Sequence, residues 1–331
     1  IQKDLDDGID TIGKKMTVCQ LYAKQIRHRG NVRYNTKNGR KRLMKLLEED
    51  KLGGCPIDSV KLSDAKEWAI RMKEKGISYK TISNDKRSLK AAFYTAIQDD
   101  CIRKNPFDFQ LNTVIEDDTE PKVPLTPAQE ESFLSFAQND KVYQKYYDEL
   151  IILLGTGFRI SELCGLTDTD IDFENRIINV DHQLLRSAET GYYIETPKTK
   201  SGIRQIPMSE KVYEAFNRVL KRRRGAKAVT IDGYSNFLFL NRDGYPKTAT
   251  NYDGMFRGHA KKYNKYHEEA LPKVMTPHTL RHTFCTNMAN AGMNPKALQY
   301  ITGHSNITMT LNYYAHATFD SAKAEMLRIA A

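Results

Sequence analysis

Arginine, lysine, histidine and tyrosine side chains recur in the last two thirds of this 331-residue chain in four phrases that could act together on a phosphate. They are G-x-R-I-S-E-L around Arg159, P-K-T-K-S-G-I-R around Lys198, T-P-H-T-L-R-H-T-F around His278 and Arg281, and G-H-S-N-I-T-M-T-L-N-Y around His304 and Tyr313. Singly, each has a plain explanation. Arg159 and Glu162 are one helical turn apart and could form a surface pair. His304 could cap a helix, and Tyr313 could be a core aromatic. His278 and His282 have the spacing of helical metal ligands, but HTLRH lacks the glutamate of HExxH and no third ligand is evident, so no metal site is expected. Together the phrases have one chemical meaning. A phosphodiester undergoing displacement develops charge on its non-bridging oxygens, and guanidiniums meet that charge with forked hydrogen bonds. Two arginines, two histidines and a lysine around a phenol supply charge neutralisation, proton transfer and a nucleophile without metal or cofactor. Arg281 follows His278 by three residues, so one helical turn presents both.

These segments are far apart in sequence and can meet only through tertiary structure. From Thr17, TVCQLYAKQIRHRG, TKNGRKRLMKLLEED and SDAKEWAIRMKEKG each pair apolar positions at helical spacing with a basic face. Ser63 is the expected N-cap of the third helix and Gly76 its stop. The fourth, SYKTISNDKRSLKAAFYTAIQDD, aligns Ile82, Leu89, Phe93, Ala96 and Ile97, with Lys80, Lys86, Arg87 and Lys90 to the sides. Its segment is expected to end at Asn105-Pro106, because proline disfavours helix in the preceding residue. EDDTEPKVPLTP is acidic and proline-bearing and reads as an interdomain linker. A new helix begins with Thr126 as N-cap and Pro127 in its first position. YDELIILLGTGF reads as a buried helix, RISELCGL as a short one and DIDFENRIINVD as strand. YYIETPKTKSGIRQIPM reads as a hairpin turning at Ser201-Gly202. The remainder reads as largely helical.

Net charge is +10, and its distribution is uneven. Residues 1–115 hold 24 Lys+Arg against 15 Asp+Glu, whereas residues 116–331 hold 27 against 26. A basic helical first third favours a polyanion partner, since neutralising phosphates releases counterions. No apolar run approaches the roughly 18 residues of a membrane span, and there is no signal peptide. The five cysteines are scattered and unpaired in pattern, as in a reducing cytoplasm.

The order Arg…Lys…His-x-x-Arg…His…Tyr, the nine-residue step from His304 to Tyr313 and the LRHTF and GHS contexts resemble the tyrosine recombinase/integrase family. The phrases HQLLR, ETPKTKSG and LNYYAHATFDSA are most similar to integrases of Gram-positive conjugative transposons. The resemblance implies a mainly α fold with a small antiparallel sheet: a helical, SAM-like core-binding domain and an α+β catalytic domain. Residues 1–15 are then a linker from an arm-binding domain, 16–115 the core-binding domain, 116–125 the interdomain linker, 126–317 the catalytic domain and 318–331 a docking helix. The start without Met leads to the expectation of a longer parent chain. The resemblance implies that Tyr313 attacks phosphorus to leave a 3′-phosphotyrosyl bond and that Arg159 and Arg281 hold the non-bridging oxygens. It also implies that His278 accepts a proton or binds phosphate, that His304 stabilises the transition state, and that Glu162 orients Arg159. A hairpin lysine, Lys198 or Lys200, protonates the leaving oxygen. Tyr314 is a chemical alternative to Tyr313, which the step from His304 favours. Implied partners are duplex DNA bound in part by Lys80, Lys86, Arg87 and Lys90, further copies in a dimer to tetramer joined by tail exchange, and an excisionase-type accessory protein. A type IB topoisomerase and a non-catalytic DNA-binding protein are the alternatives; metal-dependent nucleases lack a clustered Asp/Glu set.

Overall fold

Thr17 opens the first helix. Its hydroxyl accepts the Gln20 N–H at 3.2 Å while the Gln20 side chain accepts the Thr17 N–H at 2.9 Å, so two backbone donors are satisfied reciprocally. The computed structural model describes residues 15–30, 32–120, 123–197, 199–223, 229–314 and 326–327. It divides the chain into two compact units, Ile1–Pro121 and Lys122–Ala331.

In the first unit, α1 (Val18–His28), α2 (Tyr34–Glu48), α3 (Leu62–Glu74) and α4 (Tyr79–Gln98) turn their apolar stripes inward. The core centres on Trp68, fully enclosed and edge-on to Phe107 at 5.8 Å between ring centres. Two buried carboxylates are paired, Asp50 with Arg71 at 2.7 Å and Asp85 with Arg42 at 2.5 Å, as burial of charge requires. Two boundaries differ from expectation. Helix α3 starts at Leu62, ahead of Ser63, because Asp64 reaches back to accept the Lys61 N–H at 2.8 Å and closes the N-terminus. Helix α4 ends at Gln98, well before Asn105-Pro106, where Asp100 takes a left-handed φ of 53° that aspartate tolerates better than most residues.

The second unit begins with α5 (Pro127–Asn139), capped by Thr126, and α6 (Tyr147–Thr156), whose leucines and isoleucines lie in the core. After α7 (Ile160–Gly165) come β1 (Ile171–Asp172), β2 (Ile177–Val180), β3 (Gln183–Ser187), β4 (Gly191–Glu195) and β5 (Arg204–Pro207). The pairing corrects the hairpin expectation. Strand β4 pairs with β3, Leu184 opposite Ile194, whereas β5 pairs with β2, Ile178 opposite Ile206. The segment read as one hairpin therefore crosses between a two-stranded and a three-stranded sheet. Its alternation was real, but alternation does not name the partner strand. Helices α8 (Glu210–Arg223), α9 (Ala249–Tyr266), α10 (Pro277–Asn290), α11 (Pro295–Thr302) and α12 (Ile307–Leu311) follow. Among the described residues, no helix is long and apolar enough to cross a membrane.

Candidate active site

Helix α6 is buried along most of its length and stops at Gly157, which takes φ +64°. A Cβ there would lie 2.3 Å from the Phe284 ring, so both the backbone conformation and the packing call for glycine. The chain re-enters helix at α7 with Arg159 in the N-cap position. Glu162, one turn on, accepts the Arg159 N–H through Oε2 at 2.9 Å and its Nη1 through Oε1 at 2.7 Å. The guanidinium is thereby fixed at the start of the helix, with Nη2 donating to the Gly303 carbonyl at 2.9 Å.

Helix α10 starts at Pro277, so its first turn exposes His278 while Arg281, one turn later, is buried. Arg281 donates from Nη1 to the Gly157 carbonyl at 2.7 Å and from Nη2 to the Thr302 carbonyl at 2.6 Å. Burial and the neighbouring Arg159 pull its pKa down to about 10, still well above neutrality.

The end of α11 gathers this arrangement. Carbonyls in the last turn of a helix lack intrahelical donors and carry the negative end of its dipole. Here three successive carbonyls each receive a guanidinium: Ile301 from Arg204 at 2.6 Å, Thr302 from Arg281 and Gly303 from Arg159. Gly303 takes φ +64° to end the helix, and His304 comes next. His304 is buried, with Nδ1 2.9 Å from the Thr310 hydroxyl. Burial, reinforced by Arg281, Arg159, Arg204 and His278, holds its pKa down to about 4, so the ring is neutral at neutral pH.

The nine-residue step from His304 to Tyr313 folds as a turn and the short helix α12, whose N-cap Asn306 accepts the Thr308 N–H at 2.9 Å. This brings the Tyr313 ring parallel to His304, 4° between planes and 6.3 Å between centres, and edge-on to His282 at 4.9 Å. The phenol is pushed up to about 12 by burial and by the Cys285 thiol beside it, an effect Arg281 opposes. It therefore reaches neutral pH protonated and must give up its proton as it attacks. Tyr314 points elsewhere: its hydroxyl donates to the Met293 carbonyl at 2.5 Å.

Residues 124–321 match the phage integrase family. The chain belongs to that family. Its members, the tyrosine recombinases, cleave and rejoin DNA. This integrase is 68% identical to the transposase of transposon Tn916 from Enterococcus faecalis over 99% of this chain and 81% of that protein. A solved Tn1549 transposon integrase in complex with a circular intermediate DNA is 77% identical, with a TM-score of 0.90, over 95% of this chain and 99% of that one. A lambda integrase dimer bound to a COC′ core site shares the fold at 15% identity and a TM-score of 0.61, covering 91% of this chain and 78% of that one.

Of the integrase residues singled out in sequence, Arg159, Glu162, Arg281, His304 and Tyr313 converge, and His278 acts electrostatically on His304. Lys200 is exposed in the 3-10 turn Lys200–Gly202, and Lys198 lies outside the described residues. Of the basic residues on α4, Lys80 and Arg87 are exposed. Lys90 instead pairs with Asp108 at 2.5 Å. Lys86 departs from the expected wet face: it is buried, with its ammonium 4.4 Å from the centre of the Phe109 ring, and burial then Lys90 lower its pKa. Helical spacing alone gave no sign that Phe109, beyond the helix, would cover this side. Sequence reasoning also gave no role to Arg204, which ends the P-K-T-K-S-G-I-R phrase, to Thr310, which lies inside the phrase from Gly303 to Tyr313, or to Cys285, which directly follows T-P-H-T-L-R-H-T-F.

Proposed function

We propose that this integrase cuts and rejoins duplex DNA at the ends of a mobile element through a covalent link to Tyr313, integrating and excising that element. In cleavage, the Tyr313 Oη attacks the scissile phosphorus. The new P–O bond forms as the bond to the 5′-oxygen breaks, leaving a 3′-phosphotyrosyl link and a free 5′-hydroxyl. The phenolic proton passes to His278, and a lysine of the turn before β5, Lys198 or Lys200, protonates the departing oxygen. Arg159 and Arg281 hold the non-bridging oxygens, Glu162 orients Arg159, and His304 stabilises the charge that develops in the transition state. Rejoining runs these steps in reverse, with a 5′-hydroxyl attacking the phosphotyrosine. No cofactor is required by this chemistry.

The observation that carries this reading is the meeting of Arg159, Arg281 and His304 at one helix end, with the Tyr313 ring stacked beside them. The relative solved with circular intermediate DNA supports the choice of substrate. In this reading residues 16–115 form the core-binding domain and grip phosphates in part through Lys80 and Arg87, and residues 1–15 lead from an arm-binding domain. Residues 126–317 are the catalytic domain, joined through linker 116–125. The protein works in the cytoplasm as a dimer to tetramer on DNA, with residues 318–331 exchanged between copies and an excisionase-type protein setting direction. That tail lies outside the described residues apart from the exposed Met326 and Leu327. The test is trapping on a nicked suicide substrate carrying the element's ends, followed by mapping of the DNA-linked peptide. The link is expected at Tyr313; a link to another side chain would overturn the reading.

A further inference from the structure

Arg204 has no solvent-exposed side-chain surface, and its donors are taken up by the protein. Its Nη2 donates to Glu162 Oε2 at 2.8 Å, and Nη1 donates to Glu162 Oε1 at 3.1 Å and to the Gly202 carbonyl at 3.0 Å. Its Nε donates to the Ile301 carbonyl at 2.6 Å. One guanidinium therefore touches α7, the lysine-bearing turn before β5 and the end of α11. It is itself rooted in a strand, since Arg204 lies opposite Val180 in the three-stranded sheet. A Cβ on Gly303 would stand 3.1 Å from Arg204 Nη1, so the helix end is pressed directly against this side chain.

So enclosed a guanidinium cannot reach a phosphate. It determines instead where other groups stand. Glu162 holds Arg159 with the same two oxygens that Arg204 grips from the other side. Burial alone would raise the Glu162 pKa, but the hydrogen bonds and charge of Arg204, with Arg159 and Arg281, hold it below the usual range, so the carboxylate stays charged. The fork shape matters here: an ammonium cannot span both carboxylate oxygens and two carbonyls at once.

We propose that Arg204 is a positioning residue for DNA cleavage, fixing through one buried guanidinium the Glu162 that aims Arg159, the helix end that presents His304, and the turn that carries the general-acid lysine. The proposal rests on the roles assigned to Arg159 and His304 above.

The experiment measures single-turnover cleavage of a nicked suicide substrate, DNA affinity and thermal melting for the parent, Arg204→Lys, Arg204→Gln and Tyr313→Phe. Arg204→Lys is expected to bind DNA within about threefold of the parent yet cleave on the order of 10- to 100-fold more slowly, the penalty of misplacing groups by fractions of an ångström. Arg204→Gln removes one of the charges facing His304, leaving Arg281, Arg159 and His278, so the acidic limb of its cleavage–pH profile moves to higher pH while that of Arg204→Lys stays near the parent. Parental cleavage rates in both folded Arg204 variants would overturn the proposal. So would a loss that follows the folded fraction, which would make Arg204 a stabilising residue and nothing more. Adduct formation by Tyr313→Phe would overturn the underlying reading instead, and the two failures are therefore distinct.

Discussion

The Gly157 carbonyl accepts the Arg281 guanidinium at 2.7 Å, so the residue that ends α6 also fixes the direction of a buried arginine on α10. Two demands meet at this glycine: a left-handed φ of +64° and space filled by the Phe284 ring, which a Cβ would approach to 2.3 Å. Gly157→Ala is expected to destabilise the second unit by ~2–5 kcal/mol, from backbone strain and overpacking together. It should also slow cleavage more than it weakens DNA binding. Thermal melts beside adduct assays check this, and a melting point equal to the parent's would contradict the strain argument.

The two adjacent tyrosines should separate cleanly. Tyr313→Phe is expected to bind DNA but form no covalent adduct. Tyr314→Phe leaves the Met293 carbonyl without its donor and should cost about 1 kcal/mol of stability while retaining the adduct. The reverse pattern on a denaturing gel would move the nucleophile to Tyr314.

Cleavage should persist in excess EDTA. In the proposed mechanism, Arg159, Arg281, His278, His304 and a lysine supply the charge stabilisation and proton transfer for which other phosphoryl-transfer enzymes use a divalent ion. A strict requirement for added Mg²⁺ would contradict this assignment.

Acid should destabilise the second unit in a defined window. His304 and His259 both have folded pKa values held down to about 4, against the ordinary 6.5, because burial penalises their charged forms. The unfolded chain then binds more protons between those values, so stability is present above pH ~6.5 and is lost as pH falls towards 4. Among the described residues neither ring nitrogen of His259 has a hydrogen-bond partner, and the ring is packed on Phe133 at 4.3 Å. His259→Leu is therefore expected to flatten the pH dependence of melting, and an unchanged slope would rule His259 out as a contributor.

On α4, the burial of Lys86 divides the basic residues into two classes. Lys86→Ala should lower stability by removing the packing on Phe109, with little change in salt dependence. Lys80→Ala and Arg87→Ala should leave the fold intact and reduce the slope of log K against log[salt] by ~0.9 for each phosphate that is no longer neutralised. Equal effects of all three on the slope would place Lys86 on the DNA-facing side after all.

The sequence exposed some features of this site more readily than others, for physical reasons. Arg159, Glu162, His278 and Arg281 were legible because each falls within one helical turn of a partner, where spacing dictates proximity. The hydrophobic periodicity of α4 marked Ile82, Leu89 and Phe93 as core, and burial agrees. The partner of β5 was not legible, because strand pairing depends on which edge is free and not on the strand's own alternation. Nor was Arg204: its role comes from hydrogen bonds to Glu162, 42 positions away, and to Ile301, 97 positions away, that no local pattern encodes. Ser63 lost its expected cap role to a competing carboxylate, Asp64.

Three consecutive carbonyls at the end of α11 hold Arg204, Arg281 and Arg159, which arrive from β5, α10 and α7. A displacement of that helix end cannot loosen one arginine and spare the others. The consequence is epistasis: mutational effects at these three positions will not add, because the first substitution already disturbs what the second would have broken. Sequence drift at any one of them is thereby constrained by the other two, and the segment from Ile301 to Gly303 tolerates an insertion or deletion only at the expense of all three.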